Sequence, residues 1–156
     1  GNAFLNKTLE KSNFEEIRIF SRDEKKQDDL RKKLKSDKVK FYIGDVRDKD
    51  SIEKAIKGVD YIFHAAALKQ VPSCEFFPIE AVKTNIMGTN NVLSAAEKFG
   101  VKKLVVLSTD KAAYPINAMG MTKALMEKTM TAAARNLDDK KTVFSGTKLK
   151  RFIASL

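Results

Sequence analysis

Strand-like and helix-like segments alternate along this 156-residue chain, and that alternation restricts its fold more than any other feature. Short apolar runs read as strands: EEIRIFS (15–21), VKFYIGD (39–45), VDYIFHAAA (59–67), VKKLVVLS (101–108) and, less completely, TVFS (142–145). Apolar residues three and four apart read as helical faces between them. Residues 3–12 look helical. Residues 23–36 form a polar helix with Leu30 and Leu34 on one face. Residues 48–57 turn Ile52, Ala55 and Ile56 inward and stop at Gly58. Pro78 suits the first turn of one long helix, with Ile79, Val82, Ile86, Thr89, Leu93 and Ala96 on one face and Gly100 as its stop. Asn117 can cap a helix over 118–137. VKKLVVLS is nearly continuous in apolar residues, as strands covered on both faces are. Repeated strand–helix units with right-handed crossovers predict an α/β chain with a doubly wound parallel sheet. The pattern starts on a helix and ends soon after its last strand begins. The expectation is therefore an incomplete domain: residues 1–146 as the folded part, residues 147–156 as a basic tail.

Charge and composition narrow the class. The formal net charge is +10, and Lys140, Lys141, Lys148, Lys150 and Arg151 supply five of those charges from a stretch (140–156) that contains no acid. The mixed-sign segment at 24–40 reads as a solvated helix face. No aromatic residues interleave with the basic ones, so nucleic acid is not expected as a partner. There is no run of 18 apolar residues, which argues against a membrane span. The N-terminus lacks the basic start and apolar stretch of a signal peptide. One cysteine, Cys74, and one histidine, His64, support neither a disulfide framework nor a metal site. A reducing cytoplasm is the simplest location.

In an open parallel sheet, ligands bind outside the carboxyl ends of the strands. Ser21 and Arg22 end one strand. A Ser-Arg pair there suits the extra phosphate of NADP, because a guanidinium can pair with phosphate through two parallel hydrogen bonds. A surface arginine in a turn is the plainer reading. Asp45 and Val46 end the next strand, where they could hold an adenine amine and cover its ring, or simply form a turn. Ala65, Ala66 and Ala67 follow His64; small side chains let a cofactor approach the backbone, although core packing explains them as well. His64 itself lies in an apolar strand and reads as packed. Ser108, Thr109, Asp110 and Lys111 close the strand 101–108. Lys123 follows Met119 by four residues, so both share one helical face. A hydroxyl, a carboxylate and two amines near one strand end make a plausible acid–base site.

Two long stretches carry a resemblance. GDVRDKDSIEKAIKGVDYIFHAAALKQVPSCEFFPIEAVKTNIMGTNNV and LSTDKAAYPINAMGMTKALMEK resemble the UDP-N-acetylglucosamine 4,6-dehydratases, extended short-chain dehydrogenase/reductase enzymes of bacterial surface-polysaccharide synthesis. The likeness covers about residues 1–143, and HAAALKQVP, KTNIMGT and STDKAA carry it. It implies an NAD(P)-binding Rossmann-like domain, an NADP cofactor with NAD as the alternative, a UDP-sugar substrate and a homo-oligomer. Gly1 would then be the last glycine of the phosphate-binding turn, and Asn85 would join Ser21, Arg22, Asp45, Val46, Ala65–Ala67 and Lys123 around the cofactor. Beyond TVFSG the chain departs from the family pattern.

The family reaction removes water across C5 and C6 of the sugar. The resemblance implies Lys111 as the C5 base, Asp110 as the acid for the C6 hydroxyl and Thr109 as a partner of the C4 hydroxyl. Burial would push a lysine toward neutrality and a carboxyl toward protonation, as those roles need. Relatives with a YxxxK motif carry tyrosine where Met119 stands, and methionine cannot exchange a proton. Lys123, acting directly or through water, is the leading substitute; Asp110 and Tyr114 are the others. A 4-epimerase of the same superfamily and a non-catalytic nucleotide-binding remnant are the alternative readings.

Overall fold

The computed structural model describes residues 2–11, 14–135 and 143–147. Gly1 and the tail beyond Thr147 lie outside the described residues. The elements run α1 (Asn2–Lys11), β1 (Ile17–Ser21), α2 (Glu24–Leu34), β2 (Val39–Ile43), α3 (Lys49–Ile56), β3 (Tyr61–His64), α4 (Val71–Phe76) and α5 (Pro78–Ala81). A π-helical segment (Val82–Met87), α6 (Gly88–Lys98), β4 (Lys103–Leu107), a 3-10 turn (Asp110–Ala112), α7 (Ala118–Arg135) and β5 (Val143–Thr147) follow.

Every ladder is parallel. β1 lies beside β2 with Ile17 opposite Val39 and Ser21 opposite Ile43. β4 lies between β3 and β5, with Tyr61 opposite Lys103 and Lys103 opposite Val143. The helical crossovers force this, since parallel neighbours cannot be joined by a tight hairpin. The α/β Rossmann-like reading therefore holds, with the sheet in two parts: β2-β1 and β3-β4-β5. No ladder joins β1 to β3 among the described residues. The strand β5 reaches Thr147, one residue past the expected boundary of the folded part.

Three apolar clusters hold the layers together. The largest sets Ile52 and Ile56 of α3, Val92, Leu93, Ala95 and Ala96 of α6, and Met126 of α7 against Leu104 and Val106 of β4. This is the inward face foreseen for α3. A second joins Leu5 of α1 and Leu30 of α2 to Ile19 and Val39. A third, under the site, contains Cys74, Ala81 and Met119. Gln27 ties the carboxyl ends of β1 and β2 together, its Nε2 donating to the carbonyls of Ser21 at 3.0 Å and Tyr42 at 2.8 Å. Gly58 and Gly100, with φ of 79° and 66°, end α3 and α6 in the left-handed region that glycine enters without strain.

The long helix expected after Pro78 is present: α5, the π-helical segment and α6 follow one another from Pro78 to Lys98, with Val82 and Gly88 at the junctions in right-handed helical backbone. A separate short helix, α4, precedes it. The expected inward face is followed only in part: Ile79 is 62% exposed, whereas Thr84 and Asn85, within the wider π turn, are buried. Downstream of the π segment the foreseen face resumes: Thr89, Leu93 and Ala96 are all buried.

Candidate active site

The site is built where β4 ends. Thr109 leaves the strand with extended backbone and starts the 3-10 turn over Asp110–Ala112. Its Oγ1 donates to Asp110 Oδ1 at 2.9 Å and accepts from the Lys111 backbone N–H at 3.4 Å. Asp110 and Lys111 are exposed. The expected protonated, buried carboxyl at Asp110 is therefore corrected: the hydrogen bond from Thr109 and then that of the Lys111 N–H hold it below the usual carboxylate range. Ser108 is buried and its Oγ donates to Glu127 Oε1 of α7.

Helix α7 packs its first turns under this turn. Gly120 makes the approach possible: a Cβ there would lie 2.7 Å from the carbonyl oxygen of Lys111. Asn117 caps the helix as expected, its Oδ1 accepting from Gly120 N–H at 2.8 Å. Lys123 is 6% exposed, and its Nζ donates to the carbonyl of Leu107 at 3.0 Å and contacts Met126 Sδ at 3.6 Å. Burial pushes its pKa down to about 8, against a smaller opposing pull from Glu127. Met119, four residues earlier, does not line an open site. It is 3% exposed and packs against Cys74 and Ala81.

A buried chain of polar groups connects the site to β3. His64 Nε2 meets Thr89 Oγ1 at 3.0 Å, and that hydroxyl donates to the Asn85 carbonyl at 2.8 Å. One hydroxyl has one proton, so the imidazole donates from Nε2. Burial, and then the charge of Lys123, lower the His64 pKa to about 4. The Asn85 amide is spent inside the protein: Oδ1 accepts from Leu68 N–H at 2.8 Å, and Nδ2 donates to the Leu68 carbonyl at 2.9 Å and Thr122 Oγ1 at 3.0 Å. Thr122 in turn donates to the Met119 carbonyl at 2.9 Å. Asn85 is thus a brace between the loop after β3 and α7, not an open ligand contact.

The other strand ends hold the remaining candidates. Ser21 Oγ accepts from Asp23 N–H at 3.2 Å. The Arg22 side chain is 54% exposed, with an ion pair to Asp45 at 3.4 Å. Asp45 is more tightly held by Arg47, which donates from its backbone, Nε and Nη2, and these bonds keep the carboxyl low despite partial burial. Arg47 also reaches Glu80 at 2.7 Å, fastening the turn after β2 to α5. Val46 is 7% exposed and fills the space over Gly88, where a Cβ would lie 2.8 Å from Val46 Cγ2. It is core and does not present an open face to a ring. Ala65, Ala66 and Ala67 are half-buried in the loop after β3. Gly1 lies outside the described residues.

Glu127, Arg47 and Glu75 were not foreseen. Each acts on a group far away in the chain, as Glu75 Oε1 does in accepting from Ala118 N–H at 2.6 Å across 43 residues. No local pattern marks such a residue. Among the described residues, no group of three or more His, Cys, Asp or Glu could hold a metal ion, and no helix is long and apolar enough to cross a membrane.

Comparison with known proteins adds to this geometry. Residues 1–155 match the family described as polysaccharide biosynthesis protein. A curated protein of Rickettsia bellii (strain RML369-C) named UDP-glucose 4-epimerase is 60% identical over 158 residues, covering 99% of this chain and 46% of its own length. The chain thus spans about half the length of the curated relatives it matches. The X-ray structure of Pen from Bacillus thuringiensis superposes with a TM-score of 0.90 at 38% identity, over 94% of this chain and 45% of that one. A double mutant of the dTDP-glucose 4,6-dehydratase DesIV from Streptomyces venezuelae, with NAD bound, gives 0.79 at 21% identity over 94% and 51%. At that identity it speaks for the fold alone. The relatives' names agree with the alternative drawn from sequence, a 4-epimerase, rather than with the dehydratase.

Proposed function

The chain belongs to the polysaccharide biosynthesis protein family, and from that premise we propose that it carries the dinucleotide-binding, acid–base part of a sugar-nucleotide-modifying enzyme of short-chain dehydrogenase/reductase type. Residues 1–146 are the dinucleotide-binding part in this reading. The substrate is a UDP-sugar oxidised at C4 and reduced again, and the favoured outcome is epimerisation at C4, as in the names of the curated relatives. The observation that carries the proposal is Lys123, buried at the end of β4 with a pKa of about 8.

The residues present fit a nicotinamide dinucleotide. The half-buried alanines after β3 leave that backbone approachable, and Arg22 is exposed with one long ion pair, so its guanidinium is available to a phosphate. When bound, the dinucleotide supplies the hydride acceptor and donor. Thr109 accepts a hydrogen bond from the sugar C4 hydroxyl while donating to Asp110. Lys123 would take the C4 hydroxyl proton, directly or through water, and would return it to the C4 oxygen on reduction. A lysine near pKa 8 has both protonation states within reach at neutral pH, which an acid–base catalyst needs. Met119 takes no part in this transfer.

The dehydratase remains a second reading because Asp110 and Lys111 stand side by side at the strand end, where a C6 acid and a C5 base would be needed. Against it, Asp110 is exposed and held ionised, the wrong state for an acid. Incubation with NADP+ or NAD+ and either UDP-glucose or UDP-N-acetylglucosamine separates the two. A product of unchanged mass with inverted C4 supports the epimerase. Loss of one water from the sugar supports the dehydratase and overturns epimerisation.

A further inference from the structure

We propose that Glu75 is a positioning residue: it latches the short helix α4 onto the first turn of α7, and so sets the small-residue loop after β3 against the turn that carries Met119 and Lys123. Glu75 Oε1 accepts from the Ala118 backbone N–H at 2.6 Å, while Asn117 Oδ1 accepts from Gly120 N–H at 2.8 Å. Two of the N–H groups that a helix start leaves without internal partners are thereby satisfied, one of them by a residue of a different element. A carboxylate suits that place, since the N-terminus of an 18-residue helix is the positive end of its dipole.

The neighbouring residue completes the grip. Cys74 is fully buried and packs with Ala81 against Met119. Residues 74 and 75 therefore hold residues 119 and 118 respectively, one through apolar contact and one through a charge-assisted hydrogen bond. The other end of the segment is tied down separately. Leu68 exchanges both backbone groups with the Asn85 amide, which also bonds Thr122 of α7, and Cys74 Sγ lies 3.7 Å from the Leu68 carbonyl. The stretch from Ala65 to Glu75 is thus fastened to α7 at two points, through Asn85–Thr122 and through Glu75–Ala118. Asn85 is buried and its bond is sheltered, but the Glu75 bond is exposed to solvent. The carboxylate latch is therefore the end of the strap that opens first.

The consequence for ligand binding rests on the proposed function, in which the loop Ala65–Ala67 is approached by the dinucleotide and Lys123 exchanges the proton of the sugar beside it. The test compares Glu75→Ala, Glu75→Gln and Ala118→Pro. Proline at the first helical position keeps the helix but deletes the N–H that Glu75 accepts. NADP+ affinity, the amide exchange rate at Ala118 (in the two Glu75 variants) and the titration of Lys123 are measured in each. We expect Glu75→Ala and Ala118→Pro to weaken dinucleotide binding by about fivefold or more, the loss of one cap expressed as affinity. Both should move the Lys123 titration upward from about 8 as its first turn loosens and takes up water. Glu75→Gln keeps an acceptor oxygen and should restore both readouts. Unchanged affinity in Glu75→Ala overturns the proposal, and so does a loss equal in Glu75→Gln. Should the unsubstituted chain bind no dinucleotide, the cofactor reading fails on its own. The latch is then judged by Lys123: an upward shift in Glu75→Ala that Gln reverses sustains it, and an unmoved titration overturns it. Ala118→Pro answers the same question if Glu75→Ala does not fold.

Discussion

Lys123 Nζ lies 3.0 Å from the carbonyl oxygen of Leu107, the last residue of β4. Among the described residues no salt bridge joins that ammonium to a carboxylate, so its charge is carried into the interior against one carbonyl and a thioether. Burying a charge on such terms is unfavourable, and the drop from an ordinary 10.5 to about 8 is its measure. The folded chain gives up the Lys123 proton more readily than the unfolded chain. Its contribution to stability is therefore fully present above pH 10.5 and is lost as pH falls through about 8. At pH 7 the penalty is about 3 kcal/mol at 1.36 kcal/mol per pKa unit. Lys123→Met should raise the urea midpoint at pH 7 and, under the proposed function, abolish the C4 epimerisation. A lowered midpoint would show that the ammonium is stabilising where it sits.

His64 yields the complementary acid-side prediction. Its pKa falls from 6.5 to about 4, chiefly through burial. The stability this lends is complete above pH 6.5 and disappears as pH drops toward 4, a loss of about 3 kcal/mol. His64→Gln should flatten the stability profile between pH 7 and 4.5 relative to the parent chain. An equal fall in unfolding free energy between the two pH values in His64→Gln and the parent chain would refute the assignment.

Gly120 tests the close approach of α7 to the 3-10 turn. A methyl group there would sit 2.7 Å from the Lys111 carbonyl, a backbone atom that cannot swing aside. Gly120→Ala should therefore cost about 1–3 kcal/mol despite alanine's better helix propensity. It should also displace Asp110 and Lys111 and slow catalysis. Thermal unfolding that is unchanged or raised would mean the turn yields easily.

Arg22 tests the cofactor choice. Its guanidinium is half-exposed and loosely held by Asp45. If it takes the extra phosphate of NADP, Arg22→Ala should weaken NADP+ binding by about tenfold while leaving NAD+ nearly unchanged, the value of one charge-assisted pair. Equal effects on both dinucleotides would remove Arg22 from that role.

The alternation of strands and helices was legible in the residues because each local period depends on neighbours in the chain. The inward face of α3, the glycine stops at Gly58 and Gly100 and the Asn117 cap are all local chemistry, and all appear as read. The same logic failed where one turn of backbone changed pitch. Within the π-helical segment Thr84 and Asn85 turn inward, and nothing in the spacing of apolar residues announces an extra residue in a turn.

The sequence by itself determined the fold class, the superfamily likeness though not the dehydratase within it, and which residues lie at the end of β4, since these depend on local pattern and residue type. Only the tertiary structure decided what state those residues are in. Asp110 and Lys111 lie outside on a short turn, and the carboxyl is ionised by its hydrogen bonds; Lys123 lies inside and is pushed toward neutrality. Met119 is core, and Glu75 reaches across 43 residues to the helix start beside it. Burial and long-range partners set protonation, and both are properties of the packed layers that no stretch of chain contains alone.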